Sequence, residues 1–408
     1  MRLAPAQIGE RHQTRPPHGT AALRGPVIDD APRNPEGFRV WAVCHTAPIP
    51  PLNVMNVSNL RNRSAIIKLI RQFFDSRDYT EMHTPRLVGL PGQEPYLEPF
   101  WTRLRQGSGG QAEMNVALIT SPEYAMKRLL AAGFDRIYDL GPVFRNNEPW
   151  DGTHDPEFLM IEWYRKNADL SSLMDETEEM VRWVAASIGG RVGANLVFAP
   201  TSAGRTQGSP LPSFRRLTCA DAWRMYANVD LPSLIGNREA MARVATEHGQ
   251  IVTDTDKWDD LYYKIFLSEI EPKLGGEPTF LHRYPASQAA LSKKCSDDPR
   301  FADRVELYMS GSALHPQGDG HTPVELANGF AELSDASEQR KRFEEDVALR
   351  ESLGKKSWPL DESFLADLPK MGDAAGIAFG VERFVMLLTG AKSINDVVPF
   401  SARERFGG

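Results

Sequence analysis

The chain has 408 residues, 41% hydrophobic and 25% charged, the balance of a globular protein of two or three domains rather than a disordered or fibrous one. Its 47 basic residues against 54 acidic ones leave a net charge of −7, which argues against an extended nucleic-acid partner while leaving room for a small basic patch. Cys44, Cys219 and Cys295 stand far apart and supply neither a disulfide framework nor a cysteine-rich zinc site. No run of about 18 apolar residues is present to span a membrane. No apolar stretch follows Met1, so the reducing cytoplasm is the expected compartment and no membrane partner is expected.

Residues 1–57 are proline-rich and read as a flexible extension, with a short strand only at 38–45. From Ser58 the pattern changes. Ile66, Leu69, Ile70, Phe73 and Phe74 recur at helical spacing and predict a helix over 59–77; 79–84 then alternates like a strand and stops at Pro85. A strand over 114–120 leads into Ser121-Pro122-Glu123, a cap, a proline and an acid that open a helix stopping at Gly133. Strands at 136–144 and 158–165 flank a long polar loop, and 170–188 is helical. Residues 191–215 read as loop, followed by helices near 218–228, 238–248 and 257–271. Strands return at 279–284, 303–311 and 323–333, with 312–323 as the tip of a long hairpin. A helix over 336–353 and a strand–helix pair, 376–380 then 381–388, close the pattern. The sum is a mostly antiparallel sheet flanked by helices, an α+β fold.

Three constellations carry chemistry. After the strand ending at Phe144 the chain reads Arg145-Asn146-Asn147-Glu148 and, past 149–153, His154-Asp155-Pro156-Glu157-Phe158. An Arg leaving a strand opposite its hairpin partner suits a phosphate, because its planar fork matches phosphate oxygens; a surface salt bridge is the plainer reading. Next, Glu325 and Glu332 sit seven apart on one strand, where a bend at Asn328-Gly329 would bring both into one cleft to hold Mg²⁺. Two exposed strand acids are the plainer reading. Finally, Gly376-Ile377-Ala378-Phe379-Gly380 runs into a helix whose first turn carries Arg383, so small side chains and a helix start both favour an anionic ligand. Each piece alone is ambiguous; their joint order is not.

That order resembles motifs 2 and 3 of the class II aminoacyl-tRNA synthetases, and the first helix, strand and Pro85 resemble motif 1, the family's dimer element. The resemblance runs from about Ser58 to Ser401. Thr120-Ser121-Pro122-Glu123-Tyr124, Glu162-Trp163-Tyr164 and Asn328-Gly329-Phe330 followed by Glu332-Leu333 are similar to the lysine branch. Within it, Pro285-Ala286-Ser287-Gln288-Ala289, Glu325-Leu326-Ala327-Asn328-Gly329-Phe330 and Met126-Lys127-Arg128-Leu129-Leu130 resemble the truncated elongation factor P–lysine ligases. Residues 1–57 are too short and proline-rich for an anticodon-binding barrel of on the order of a hundred residues.

The resemblance implies a class II catalytic domain over 58–408, a homodimer, and use of ATP with Mg²⁺. It implies activation of (R)-β-lysine, or lysine, as an acyl-adenylate and transfer to a lysine of elongation factor P. Delivery to tRNA or another acceptor, and a non-catalytic binding protein, are the alternatives; tRNA is not the expected partner.

Carried over residue by residue, Ser121, Pro122, Glu123, Tyr164, Asn328, Glu332 and Ala378 would form the amino-acid pocket, with Glu123 facing an ammonium and Asn328 the carboxylate. Arg145 would grip the α-phosphate and Arg383 the γ-phosphate, and with Glu325 these would be the catalytic residues. Asn146, Asn147, Glu148, Asp155, Phe158, Leu326 and Gly380 would complete the ATP site, Phe158 as a ring against adenine. Glu325 with Glu332 would hold Mg²⁺.

The chain also departs from the pattern. Asn147 stands where the family has Glu, with Glu148 one residue later in a longer loop. Asp155 replaces an Asn and adds a negative charge near the nucleotide, and Ala378 replaces the Gly of lysyl-tRNA synthetases, as in the ligases. The 312–323 segment is an insertion; its His315, Asp319 and His321 read as a flexible hairpin tip rather than a metal site.

Overall fold

Alternation along the strands decides the architecture, because one face of each strand is apolar and must be covered. The computed structural model describes residues 56–106, 112–189, 213–311 and 323–407. The strands are β1 (Thr80–Met82), β2 (Leu87–Val88), β3 (Trp101–Gln106), β4 (Ala112–Leu118), β5 (Arg136–Phe144), β6 (Glu157–Lys166), β7 (Arg215–Thr218), β8 (Thr279–Pro285), β9 (Phe301–Met309), β10 (Val324–Ala331) and β11 (Ala374–Gly380). The helices are α1 (Val57–Asp75), α2 (Glu123–Ala131), α3 (Leu170–Ile188), α4 (Cys219–Ala227), α5 (Leu231–Leu234), α6 (Arg238–Glu247), α7 (Trp258–Ile265), α8 (Ala336–Ser352), α9 (Glu362–Met371), α10 (Val381–Thr389) and α11 (Ala402–Phe406).

Eight strands form one sheet in the order β1-β5-β6-β11-β10-β9-β8-β7. The six from β5 to β8 are antiparallel to their neighbours, and the edge strands β1 and β7 pair parallel with β5 and β8. A small sheet, β2-β4-β3, stands apart from it. The expected α+β fold is therefore present, with parallel edges that strand patterning alone did not announce.

On the covered face, Ile161, Trp163, Ile377, Phe379, Ala327, Leu307 and Phe280 pack against the apolar stripes of α1, α3 and α10. Ile66, Ile70, Phe73 and Phe74 line the α1 stripe and are fully buried; the spacing that predicted that helix is the spacing of its buried side. A second core joins α4, α5, α6 and α7 to the β7–β8 edge, and a third packs α2 and α9 together.

The expected elements recur within a few residues, with informative exceptions. Chain 257–271 is not one helix: α7 ends at Ile265, a π turn spans Phe266–Ile270, and a 3₁₀ turn containing Pro272 ends it. β2, β3, β7, α5, α9 and α11 were not expected; Pro369 inside α9 hid that helix from its pattern. The expectations for the proline-rich extension up to residue 55 and its 38–45 strand, for the loop over 191–212, and for the 312–322 hairpin tip with His315, Asp319 and His321, lie outside the described residues.

Candidate active site

The uncovered face of the sheet is the floor of a cleft of about 360 Å³. Strand register explains which side chains reach it. Met160, Glu162 and Tyr164 on β6 stand opposite Gly380, Ala378 and Gly376 on β11. Ala378 and Gly376 pair onward with Asn328 and Phe330 on β10, which face Glu306 and Arg304 on β9. Glu325 joins this face through a β-bulge: the ladder pairs Glu325 with Tyr308 but Ala327 with Leu307, leaving Leu326 as the extra residue. One inserted residue reverses strand parity, so Glu325 and Asn328 share a face although they are three apart. The bend expected at Asn328-Gly329 is absent, since pairing runs unbroken from Ala327 to Phe330.

One end of the cleft is acidic. Ser121 donates from its hydroxyl to Glu162 Oε1 at 2.5 Å and Tyr164 to Glu162 Oε2 at 2.7 Å. Pro122, not the expected Ser121, stands at the cap position of α2, and the Ser121 hydroxyl accepts the Glu123 N–H at 3.1 Å, so the opening turn of α2 sits in the wall. Burial, with Glu123 nearby, pushes the Glu162 carboxyl up to about 8. Glu332 is fully buried against Lys127, with Nζ 2.6 Å from its Oε2 and 2.7 Å from Glu123 Oε1. Glu94, on the loop before β3, also lines this end, its carboxyl raised first by burial and then by Glu123. Glu94, Glu123 and Glu162 thus line an acidic end of the cleft, whereas Glu332, expected in the amino-acid pocket, does not line it and lies fully buried behind the wall with Lys127 as its cation.

The other end carries guanidinium groups. Arg145 leaves β5 into the cleft half-buried, its Nε shielded and without a hydrogen-bond partner and its guanidinium 5.3 Å from the centre of the Phe158 ring. Arg383 donates to Glu325 O at 2.8 Å and Thr153 O at 3.3 Å, and meets His154 Nε2 at 2.8 Å. Arg145 and Arg383 each act electrostatically on their surroundings within this cleft, Arg145 being felt by Glu325 together with Arg383. Glu325 is pushed up to about 7 by burial and then by Glu306. Among the described residues no side chain donates a hydrogen bond to the Glu325 carboxylate, whereas Glu306 accepts from Arg304, Tyr284 and Tyr308.

This geometry corrects the metal assignment. Glu325 and Glu332 lie at opposite ends of β10, on the order of 20 Å apart at about 3.3 Å per strand residue, and Glu332 is paired with Lys127. The carboxylate beside Glu325 is Glu306, one strand away. Glu325 with Glu306 fits Mg²⁺, which is usually held by one or two carboxylates plus phosphate oxygens. Among the described residues no cluster of three metal-binding side chains exists.

Ser121, Glu123, Tyr164, Asn328 and Ala378 line the cleft with Arg145, Glu325, Leu326, Gly380 and Arg383. Pro122 stands behind the wall, in a smaller crevice beside Tyr124. Asn146, Asn147 and Glu148 line a different cavity, with Trp150, Arg405 and Phe406; Glu148 still acts on the Arg145 charge from there. Phe158 packs beside Ile119, Val143 and Met160. Asp155 is the second correction: it is buried and does not line the cleft, and its charge meets Arg405 Nη2 at 2.7 Å and the Ala402 N–H at 2.7 Å.

Sequence reasoning did not pick out Glu94, Lys127, Glu162, Arg304, Glu306 or His154 as site residues, though all but Lys127 line the cleft. A charged residue inside a strand or helix reads as solvent-facing until its neighbours are known. For Glu162 and Glu306 the available signal was parity, since each lies an even number of residues from another cleft-facing position on its strand.

A family model for tRNA synthetases class II (D, K and N) matches residues 52–404. The elongation factor P–(R)-β-lysine ligase of Proteus mirabilis is 36% identical over 349 residues, covering 85% of this chain and 95% of that protein. The ligase of the same name from Pectobacterium atrosepticum is 35% identical over 354 residues, with 86% and 96% covered. That from Yersinia enterocolitica is 37% identical over 350 residues, with 84% and 95% covered.

Proposed function

The chain belongs to the class II tRNA synthetases of the D, K and N branch, and on that premise we propose that it is an ATP-dependent, AMP-forming ligase that attaches (R)-β-lysine, or lysine, to a lysine side chain of elongation factor P. The observation that carries the reading is that one cleft has an acidic end, lined by Glu94, Glu123 and Glu162, and a phosphate-accepting end, lined by Arg145 and Arg383. A diamino acid joined to a nucleotide needs both.

The substrate carboxylate attacks the α-phosphorus of ATP and pyrophosphate leaves; the lysine ε-amine of the acceptor then attacks the acyl-adenylate carbonyl and AMP leaves. No covalent bond to the protein is required, so the residues act by holding and by stabilising charge. Arg145, half-buried and with an open Nε, meets the charge that grows on the α-phosphate. Arg383 anchors the outer end of the triphosphate, and Ser121, Tyr164 and Glu162 hold the amine end as one hydrogen-bonded unit. Glu325, with Glu306 beside it, would hold Mg²⁺, which would supply neutralisation of phosphate charge. The resemblance of α1 and β1 to a dimer element makes a homodimer part of the reading.

Pyrophosphate exchange into ATP, measured with each lysine isomer, tests activation, and mass spectrometry of elongation factor P after incubation tests the acceptor. The expected result is exchange that Arg383→Ala abolishes, and a lysine-sized mass gain on the factor. Exchange with no isomer ends the enzymatic reading; a gain on tRNA instead moves the acceptor.

A further inference from the structure

Asp155 is an anomaly that the cleft does not use. It sits on the hairpin between β5 and β6, whose residues Arg145 and His154 line the phosphate end, yet its carboxylate points away from the cleft and into the C-terminal segment. Both oxygens are engaged there. Oδ1 accepts from Arg405 Nη2 at 2.7 Å and from the Glu157 N–H at 3.1 Å; Oδ2 accepts from the Ala402 N–H at 2.7 Å. Three donors therefore converge on one side chain. An asparagine has a single acceptor oxygen and a donor NH₂, so it satisfies this arrangement only in part. The charge of Asp155 and the cation of Arg405 belong together.

The same short helix reaches the hairpin elsewhere. Arg405 Nη1 donates to Glu157 Oε2 at 2.9 Å, Arg403 Nη2 donates to Trp150 O at 3.0 Å, and the Phe406 ring lies 6.1 Å from that of Trp150. The contacts thus touch the hairpin at 150, 155 and 157. From the cleft side Arg383 holds Thr153 and His154. The loop is gripped from within by a nucleotide-end arginine and from outside by α11.

We propose that α11 is a latch for the β5–β6 hairpin, with Arg405 as a positioning residue that acts through Asp155 to hold Arg145 and His154 at the phosphate end. The assignment rests on the ligase reading above for its effect on ATP, though not for its effect on the hairpin. Losing Arg405 leaves a buried carboxylate without its cation and frees the outer limb of the loop, which disturbs the nucleotide end and spares the amine end.

The test compares full-length wild type with R405A, R405K and the D155N/R405A double variant. The readings are KM for ATP and for the amino acid in pyrophosphate exchange, ATP binding, melting temperature, and amide hydrogen exchange over 145–157. The expected result for R405A is a rise of about ten-fold in KM for ATP, the scale of a small misplacement of binding groups, with the amino-acid KM unchanged and faster amide exchange in the hairpin. D155N/R405A recovers part of the ATP defect because the stranded charge is gone, and R405K recovers part of it by restoring the cation. Unchanged ATP KM and unchanged hairpin exchange in folded R405A overturn the latch. So do equal rises in both KM values, or a double variant no better than R405A. Should R405A not fold, R405K is judged on the same readings. If wild type exchanges no pyrophosphate, the ligase reading falls, and hairpin amide exchange with ATP binding still decides the latch.

Discussion

Lys127 Nζ lies 2.6 Å from Glu332 Oε2, and neither side chain exposes any surface. The same ammonium reaches Glu123 Oε1 at 2.7 Å, one helical turn away on α2. An internal cation thereby ties α2 to the end of β10, with Glu123 in the cleft wall and Glu332 buried behind it. Burial lowers the affinity of such a lysine for its proton, but the two carboxylates outweigh it and raise its pKa above the usual range.

Breaking this pair from one side leaves an uncompensated buried charge. Lys127→Met is expected to lower stability by about 3–5 kcal/mol, and combining it with Glu332→Leu to lower it by less. Urea unfolding of both variants checks the order; a double variant worse than the single one contradicts it.

The amine end has a pH signature. Glu162 stands at about 8 against an ordinary 4.5, first because it is buried and then because of Glu123. A carboxyl raised in the folded state contributes its stability below the ordinary value and loses it as pH climbs through the raised one. Stability is thus expected to fall between 4.5 and about 8, by at most about 1.4 kcal/mol per pH unit for this group. Over the same window the carboxylate becomes available, so affinity for the diamino acid is expected to rise. Glu162→Gln flattens the stability profile; a profile identical to wild type removes Glu162 as its source.

Two glycines of β11 are expected to behave differently. A Cβ at Gly376 would collide with the Tyr164 ring and lie 2.7 Å from Glu332 Oε1, whereas one at Gly380 has its nearest neighbour, Leu326 O, at 3.7 Å. Gly376→Ala is expected to cost roughly 1–3 kcal/mol through overpacking and to weaken amino-acid binding. Gly380→Ala is expected to melt like wild type, so any loss of ATP affinity in it reports on the ligand rather than the fold. Thermal unfolding with ATP and amino-acid titrations separates the two.

Arg350 holds the wall that carries Glu94. Its guanidinium donates to Glu94 O at 2.9 Å, Leu97 O at 2.8 Å, Lys356 O at 3.0 Å and Glu98 Oε2 at 2.9 Å, and lies 4.3 Å from the Trp358 ring. Arg350→Ala strands those acceptors and is expected to cost about 3 kcal/mol or more. Faster amide exchange over 93–98 is the local sign; unchanged exchange there means that the wall is held by other contacts.

Much of this protein was written into local pattern. The 3.6-residue spacing of Ile66, Ile70, Phe73 and Phe74, the Ser121-Pro122-Glu123 helix start, and the small residues from Gly376 to Gly380 are properties of neighbours in the chain, and they announced α1, α2 and β11 with the fold class. The order of Arg145, Glu325 and Arg383 pointed to a shared ligand because local context gave each a defined place on a strand end or helix start. What the amino-acid order alone left open was which charges meet. The bulge at Leu326 exists only relative to β9, so the carboxylate whose charge acts on Glu325 is Glu306 rather than Glu332. The cation for Asp155 lies 250 positions away, and Lys127 meets Glu332 only when α2 packs against the end of β10. Periodicity is carried by covalent neighbours and survives in an unfolded chain. Charge pairing needs desolvation and register between distant segments, and both come into being only when the chain has folded.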